Sequence, residues 1–128
     1  MPLRFGLLMA ALMTTMASAA QAAEIVVAAG SERRIARAGS VNSRTCLSSG
    51  KEPLVVRPPA HGRLAIRMEE ARIGNRNSRC FGQVARAFAV YYRPNPGYRG
   101  QDSVTLSDLV NNGRVDVRND RTFRLSVR

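Results

Sequence analysis

Aromatic side chains are scarce in this sequence, which has no tryptophan, three tyrosines and four phenylalanines among its 128 residues. Any core must therefore be built mainly from valine, leucine, isoleucine and alanine. The scarcity also argues against a nucleic-acid partner, because proteins that bind single strands stack the bases on aromatic rings. No nucleic acid is expected as a partner.

Residues that could perform catalysis or hold a metal are few as well. The only histidine, His61, lies between Ala60 and Gly62 in a stretch typical of a turn. A hydrolytic triad needs a base beside a nucleophile and an orienting acid, and a structural metal site needs further ligands at fitting spacing. Neither pattern surrounds His61. We therefore predict a protein that is not an enzyme, with no catalytic residue, no metal and no cofactor.

The N-terminal residues have the order of a secretory signal. One charge at Arg4 precedes an apolar run from Phe5 to Ala17, and small residues follow, with Ala20-Gln21-Ala22 as the cleavage motif. The alternative is a membrane anchor, which needs about 18–20 unbroken apolar residues, more than this run has. We predict a signal peptide over residues 1–22, one mature domain over residues 23–128 with no transmembrane segment, and a periplasmic or secreted location.

The two cysteines, Cys46 and Cys80, are predicted to form a disulfide. Two cysteines in an exported chain most often pair with each other. A covalent cross-link also stabilises a domain whose hydrophobic core is small. The alternatives are two free thiols or a two-cysteine metal site.

Alternation of apolar and polar residues predicts strands through the mature chain. Apolar residues occupy every second position in the segment 63–68, where Leu64, Ile66 and Met68 share one side. Strands are predicted at 24–29, 54–57, 63–68, 84–93, around 104–106 and at 115–127; residues 31–38 fit a strand, a loop or a short helix, and residues 69–78 fit a loop.

The last hairpin carries the sharpest local signals. Asn112-Gly113 predicts a two-residue turn with Val110 opposite Val115, and Asn119 and Arg121 interrupt the apolar side of the closing strand, which predicts a bulge or a rim segment there. About seven short strands without a long helix predict an all-β fold. A β-sandwich is the stronger prediction and a small barrel the alternative.

The stretch from Val90 to Leu106, with Pro59-Ala60-His61-Gly62 upstream, resembles the bacterial Ig-like and cadherin-like repeats. In those repeats a Pro-x-x-Gly turn leads into a strand, and a Tyr-x-Pro and Gly-Tyr-x-Gly-x-Asp stretch leads into the last hairpin. The element from Asn42 to Cys46 is similar to small single-domain periplasmic versions. The resemblance implies an immunoglobulin-like β-sandwich with a structural or adhesive role and no catalytic residues. The matching positions are Gly62, Tyr92, Pro94, Gly97, Tyr98, Gly100 and Asp102.

These matching positions have physical roles of their own. Tyr92 and Tyr98 are expected to be a buried ring and a corner plug whose hydroxyls bond backbone groups. Gly97 and Gly100 permit turn geometry that other residues avoid, and Asp102 is expected to accept backbone N–H bonds. The repeats are usually acidic and sometimes bind calcium, whereas this chain is basic, so calcium is not expected.

Positive charge is the strongest compositional feature, with a formal net charge of +11 and arginine in place of lysine at all but one basic position. Arginine forks bind phosphate and carboxylate groups bidentately, although a solvated face that guards strand edges is the alternative. Two groups are predicted as anion-binding: Arg114, Arg118, Arg124 and Arg128 along the last strand, and Arg33, Arg34 and Arg37 near the start of the mature chain.

Three functions remain open from the sequence. The first is a non-catalytic Ig-like module that contacts an envelope protein. The second is a binder of anionic envelope polymers or lipid headgroups through the arginines. The third is an inhibitor of a secreted hydrolase. The partner is an unknown envelope protein or anionic envelope component, and the sequence leaves the oligomeric state open.

Cleavage of the predicted signal peptide can be measured directly. We expect N-terminal sequencing of the exported protein to begin at Ala23, because Ala20-Gln21-Ala22 presents small residues where a signal peptidase needs them. An exported protein that begins at Met1 would contradict the signal-peptide prediction.

Overall fold

A computed structural model describes residues 23–111 and 114–128 of the chain. The predicted signal peptide lies outside these residues, as does the Asn112-Gly113 turn. Within them the protein is all-β, as predicted, and no helix is long and apolar enough to cross a membrane. The strands are β1 Glu24–Val27, β2 Arg33–Ala38, β3 Ser40–Val41, β4 Ser48–Ser49, β5 Leu54–Arg57, β6 Gly62–Arg72, β7 Val84–Pro94, β8 Gly100–Asn111 and β9 Asp116–Val127.

The strands form two main sheets and one small ribbon. The four-stranded sheet has the order β1-β9-β8-β5, the three-stranded sheet has the order β2-β7-β6, and β3 pairs with β4 alone. Neighbouring strands are antiparallel except for β1, which runs parallel to β9.

The core lies between the two main sheets. Val27, Val104 and Leu125 from the four-stranded sheet and Val90 and Tyr92 from the three-stranded sheet are fully buried in one cluster. Aliphatic residues dominate this cluster, as the scarcity of aromatic residues predicts. Among the residues that the structure describes, Tyr92 is the one aromatic ring that is completely enclosed.

Of the strand, loop or short helix that the sequence leaves open for residues 31–38, the structure has a strand, β2, with an irregularity in its register. The register with β7 shifts between Arg34 and Ala36, and this shift buries both Ile35 and Ala38. The bulge accounts for this burial, since an extra residue reverses the side to which the following residues point.

β6 is longer than predicted, because residues 69–72 belong to the strand and not to a loop. The polar residues there have partners across the sheet: Glu70 lies opposite Arg86, and Glu69 accepts a hydrogen bond from the Tyr91 hydroxyl. A strand can tolerate such a charged end because cross-strand pairs of opposite charge stabilise it.

The β8–β9 hairpin differs from the prediction in two respects. Asn111 pairs with Asp116 and Val110 with Val117, so residues 112–115 separate the strands and Val110 does not face Val115. The Asp116 carboxylate lies 2.7 Å from Lys51 Nζ. Val115 and Val117 lie beyond the core and are 59% and 45% exposed, contrary to the apolar side predicted for them.

No bulge interrupts β9 at Arg121, because the β8–β9 register is continuous over the described residues. The Arg121 guanidinium lies 2.6 Å from the Asp108 carboxylate on the neighbouring strand. An ion pair within the sheet therefore accommodates the polar residue without an inserted one. Alternation predicts that Val84 faces the core with Val90 and Tyr92, but at the entrance of β7 Val84 is exposed and does not join the core.

The disulfide between Cys46 and Cys80 is confirmed. It joins the connection between β3 and β4 to the loop between β6 and β7, and Cys80 is almost fully buried. Both cysteines of the sequence are used in it. The small ribbon also contacts β7, where the Arg86 backbone N–H donates to the Ser48 hydroxyl at 2.7 Å, so the disulfide and this contact both attach it to the main sheets.

Removal of the disulfide should lower stability without changing the sheets. For the double variant Cys46→Ser/Cys80→Ser we expect the free energy of unfolding to fall by about 3–4 kcal/mol, because the bridge closes a long loop. Urea denaturation monitored by circular dichroism measures this loss. A variant as stable as the parent would show that the ribbon is held by other contacts.

Candidate functional site

One carboxylate, that of Asp102, gathers four hydrogen-bond donors at one end of the two sheets. The Tyr92 hydroxyl donates to it at 2.7 Å. The backbone N–H groups of Ala60 and His61 donate at 3.0 Å each, and that of Ser103 donates at 2.9 Å. The Asp102 side chain, from β8, thus joins the end of β7 to the turn that precedes β6. We call this arrangement the Asp102 corner.

Gly62 is required at the Asp102 corner by a close approach. A Cβ atom at Gly62 would lie 2.4 Å from the Tyr92 ring and 2.7 Å from the Arg93 carbonyl oxygen. Gly62 pairs with Pro94 at the first position of the β6–β7 ladder, and Pro94 is buried there. Because glycine has no side chain, the backbone of β6 can lie directly against the ring of Tyr92.

Tyr98 completes the turn between β7 and β8. Its ring stacks on the imidazole of His61, with the ring centroids 4.1 Å apart and an angle of 8° between the planes. Its hydroxyl donates to the Gln101 carbonyl. Gly97 has a φ of 79° and Gly100 a φ of 137°, and both values lie in the region that favours glycine.

The electrostatics of the Asp102 corner favour a charged aspartate beside a neutral tyrosine. Burial raises the pKa of Asp102, but the hydrogen bonds from Tyr92 and from the three backbone N–H groups together outweigh it and leave the pKa below its usual value. Burial and the hydrogen bond to Asp102 raise the pKa of Tyr92 well above its usual value. The corner therefore keeps one protonation state across the neutral range.

The outer face of the three-stranded sheet is rich in arginine. Val90 and Tyr92 point into the core, so Tyr91 and its neighbours in the ladder point outward. Arg67 and Arg37 lie on either side of Ala89, and Arg34 lies beside Tyr91. We call the set Arg34, Arg37, Arg63, Arg67 and Arg93 the arginine face.

Aliphatic arginine stems cover the middle of the arginine face. Ala89 points outward, yet it is fully buried between Arg67 and Arg37. The Arg67 guanidinium lies 4.6 Å from the centre of the Tyr91 ring and donates to Glu32 at 2.7 Å. Long arginine side chains can bury their stems in this way while their charges remain in water.

Two arginines of this face, Arg63 and Arg93, lie directly opposite each other in the β6–β7 ladder. Like charges at directly opposite positions destabilise a sheet. In the described part of the chain, the salt bridges of this face are Arg67 with Glu32 and Arg34 with Glu69, and neither involves Arg63 or Arg93. These two arginines line an open depression of about 370 Å³ together with Glu32, Leu64 and Ala65.

Acidic groups neutralise the arginine face only in part. The hydrogen bond from Arg67, with the charges of Arg67 and Arg93, lowers the pKa of Glu32. The hydrogen bond to Glu69 raises the pKa of Tyr91. Five arginines against Glu32 and Glu69 leave this face with a net positive charge.

The structure divides the predicted group Arg33, Arg34 and Arg37. Arg34 and Arg37 belong to the arginine face, whereas the Arg33 guanidinium donates to the Val26 carbonyl at the end of the other sheet. Arg33 differs from Arg34 by the ordinary alternation of a strand, and the bulge between Arg34 and Ala36 then places Arg37 on the same side as Arg34.

The predicted arginines of the last strand do not gather into one site. Arg118 and Arg124 share the outer face of the four-stranded sheet, but six residues of strand separate them, which is about 20 Å. Arg124 lies between Glu24 and Ser103 on the neighbouring strands, and the Arg128 guanidinium donates to the Ser126 hydroxyl at 3.3 Å. Arg114 precedes β9 in the connection from β8.

Sequence reasoning missed Arg63, Arg67 and Arg93 as members of the site. A signal for the first two was present, since Arg63 and Arg67 alternate with apolar residues and so lie on the wet side of their strand. The pairing of β6 with β7, which brings Arg93 opposite Arg63, could not be derived from either strand alone.

Comparison of the chain with protein-family models, with curated proteins and with solved structures finds no match. Within the described residues, no group of three or more His, Cys, Asp or Glu side chains could hold a metal ion.

The Asp102 corner leads to a pH-dependent prediction. We expect Asp102→Asn to lower the free energy of unfolding by about 2 kcal/mol at neutral pH, because the amide cannot accept all four hydrogen bonds. The folded pKa of Asp102 lies below its usual value of 3.8. Its contribution is therefore complete above that pH and is lost as the pH falls through the folded pKa.

Urea denaturation at neutral pH and below about pH 4 tests this prediction. The difference between the parent and Asp102→Asn should shrink on acidification. Asp120→Asn removes the same charge from an exposed position of β9 and should change stability little. A difference between parent and Asp102→Asn that stays constant with pH would contradict the role assigned to the carboxylate.

Proposed function

We propose that this protein is an exported, non-catalytic Ig-like module that binds phosphate or carboxylate groups of an envelope partner through its arginine face. The non-catalytic role is supported by the structural contacts of the cysteine and histidine side chains. Cys46 and Cys80 are held in the disulfide, and the imidazole of His61 is stacked on Tyr98.

The strand order supports an Ig-like β-sandwich. Without the small ribbon, seven strands remain in the order β1, β2, β5, β6, β7, β8 and β9. In an immunoglobulin domain the second, fifth and fourth strands lie side by side in one sheet, and the third, sixth and seventh in the other. The same positions here are β2-β7-β6 and β5-β8-β9, with β1 beside the last strand.

The observation that carries the binding proposal is the Arg63–Arg93 pair. Two guanidinium groups at directly opposite positions cost stability in the free protein, and an anion between them would remove the repulsion. Guanidinium groups bind carboxylate and phosphate through two parallel hydrogen bonds. The depression beside them gives such a group room to approach.

The middle of the arginine face is suited to an extended partner rather than to a stacked base. The Tyr91 ring is covered by the Arg67 guanidinium, and its hydroxyl is bonded to Glu69. The remaining outward positions between the arginines are mostly alanine, so the side chains there are short and leave room for a partner. These features support an anionic chain or surface as the partner.

A matched pair of double variants tests the proposal on immobilised heparin and on anionic vesicles. We expect Arg63→Gln/Arg93→Gln to weaken binding about tenfold at low salt, which corresponds to about 1.4 kcal/mol. Arg118→Gln/Arg124→Gln removes the same net charge from the other sheet and should change binding by about twofold at most. Stability should not fall in Arg63→Gln/Arg93→Gln, because a like-charge pair is removed.

Salt dependence provides the second measurement. Binding of the parent should fall steeply with ionic strength and be lost near about 0.5 M salt, where screening limits electrostatic attraction to short distances. Equal losses in the two double variants would mean that net charge alone drives binding. Absence of binding at low salt would contradict the proposed function.

A further inference from the structure

β6 leaves one whole edge of the three-stranded sheet without a partner strand. It has 11 residues, Gly62–Arg72, and in the described part of the chain it pairs with β7 alone. The β6–β7 ladder runs from Gly62 to Arg72 without a shift of register. The edge is therefore long and regular.

The direction of the backbone groups along this edge follows from the bonds at its two ends. Asn95 donates to His61, and Ile73 donates to Gln83, so odd-numbered residues of β6 bond to β7. In an antiparallel ladder the intervening residues point their N–H and C=O groups the other way. The even-numbered residues of β6 therefore point outward, and the four between its two ends are Leu64, Ile66, Met68 and Glu70.

The other sheet edges are less open to an added strand. β1 and β5 have four residues each, β5 has an irregular register and ends before two prolines, and β2 carries the bulge at Arg34. Short strands, bulges and prolines are the usual protection of sheet edges. β6 has none of these and relies on charged side chains alone.

The side chains along β6 define what could lie beside it. On the outer side, Arg63 and Arg67 flank the edge. On the inner side, Leu64 and Ile66 are half-buried and Met68 is 57% exposed. An added strand would place every second side chain next to the arginines and the others next to this apolar row.

We propose that β6 is a strand-addition site for an extended segment of a partner protein in which acidic and apolar residues alternate. Main-chain hydrogen bonds to the outward groups of β6 would provide the affinity, and the alternation would provide the specificity. The inference rests on the proposed function, because Arg63 and Arg67 belong to the arginine face.

Charge complementarity favours this occupant over a second copy of the chain. Two copies joined through β6 would place their arginine faces side by side, and the like charges would repel each other. A segment with acidic residues at every second position instead brings carboxylates beside this positively charged face, where Arg63 is without a salt bridge in the described part of the chain.

The probe for the test is a capped peptide of about nine residues in which Asp and Val alternate, enough to span the edge. A peptide with Lys in place of Asp is its control. Hydrogen exchange of the parent protein should slow at the amides of Leu64, Ile66, Met68 and Glu70 when the Asp/Val peptide is added, and not with the Lys/Val peptide. Unchanged exchange at these amides would overturn the proposal.

Two substitutions at Met68 distinguish the contribution of its backbone N–H group to binding from that of its side chain. Met68→Pro removes an outward N–H and no bond to β7, and proline is tolerated at such edge positions. It should weaken binding of the Asp/Val peptide about tenfold, while Met68→Ala, which keeps the N–H group, should change it by about threefold at most. Equal affinity of the two variants would overturn strand addition.

Further outcomes distinguish this proposal from the function on which it rests. If Met68→Pro binds heparin like the parent while peptide binding is absent in the parent, strand addition is wrong and the arginine face remains. If neither heparin nor the peptide binds the parent, both are wrong. A dimer of the parent that Met68→Pro abolishes in sedimentation would overturn the proposal in favour of a second copy as the occupant.

Discussion

The Asp102 carboxylate is the contact on which the arrangement of this protein depends. It accepts hydrogen bonds from Tyr92, from Ser103 and from the turn at Ala60 and His61, so one side chain joins three segments. A buried charge is stable only when it is fully hydrogen-bonded, and this one has four donors. Because Gly62 must pass against the Tyr92 ring, the corner also determines where β6 begins relative to β7.

The position of the arginine face follows from that constraint. One residue beyond the Gly62–Pro94 pair, Arg63 and Arg93 lie opposite each other, so a pair of like charges adjoins the Asp102 corner. Binding sites often retain interactions that are unfavourable in the free protein, because the partner removes them. Further along the face, Glu32 and Glu69 neutralise Arg67 and Arg34, and the repulsion is weaker.

Local patterns predicted much of the fold, and contacts between distant segments account for what they missed. The alternation around Leu64 and the proline after Arg93 located β6 and β7. The predicted export of the chain led to the prediction of the Cys46–Cys80 disulfide, which is confirmed. The length of β6 was missed because the partners of its charged end lie on β7, where the Tyr91 hydroxyl donates to Glu69 and Arg86 lies opposite Glu70. The arginine face was missed for the same reason, because its residues come from β2, β6 and β7, and the β2 irregularity is what places Arg34 and Arg37 on one side.

An NMR titration of the arginine Nε–H signals with a heparin-derived oligosaccharide tests the arginine face as the binding surface, since it follows each guanidinium separately. We expect the signals of Arg63 and Arg93 to shift first and saturate, while those of Arg118 and Arg124 on the opposite sheet shift little. Equal shifts on both sheets, or shifts confined to Arg118 and Arg124, would contradict the arginine face as the binding surface.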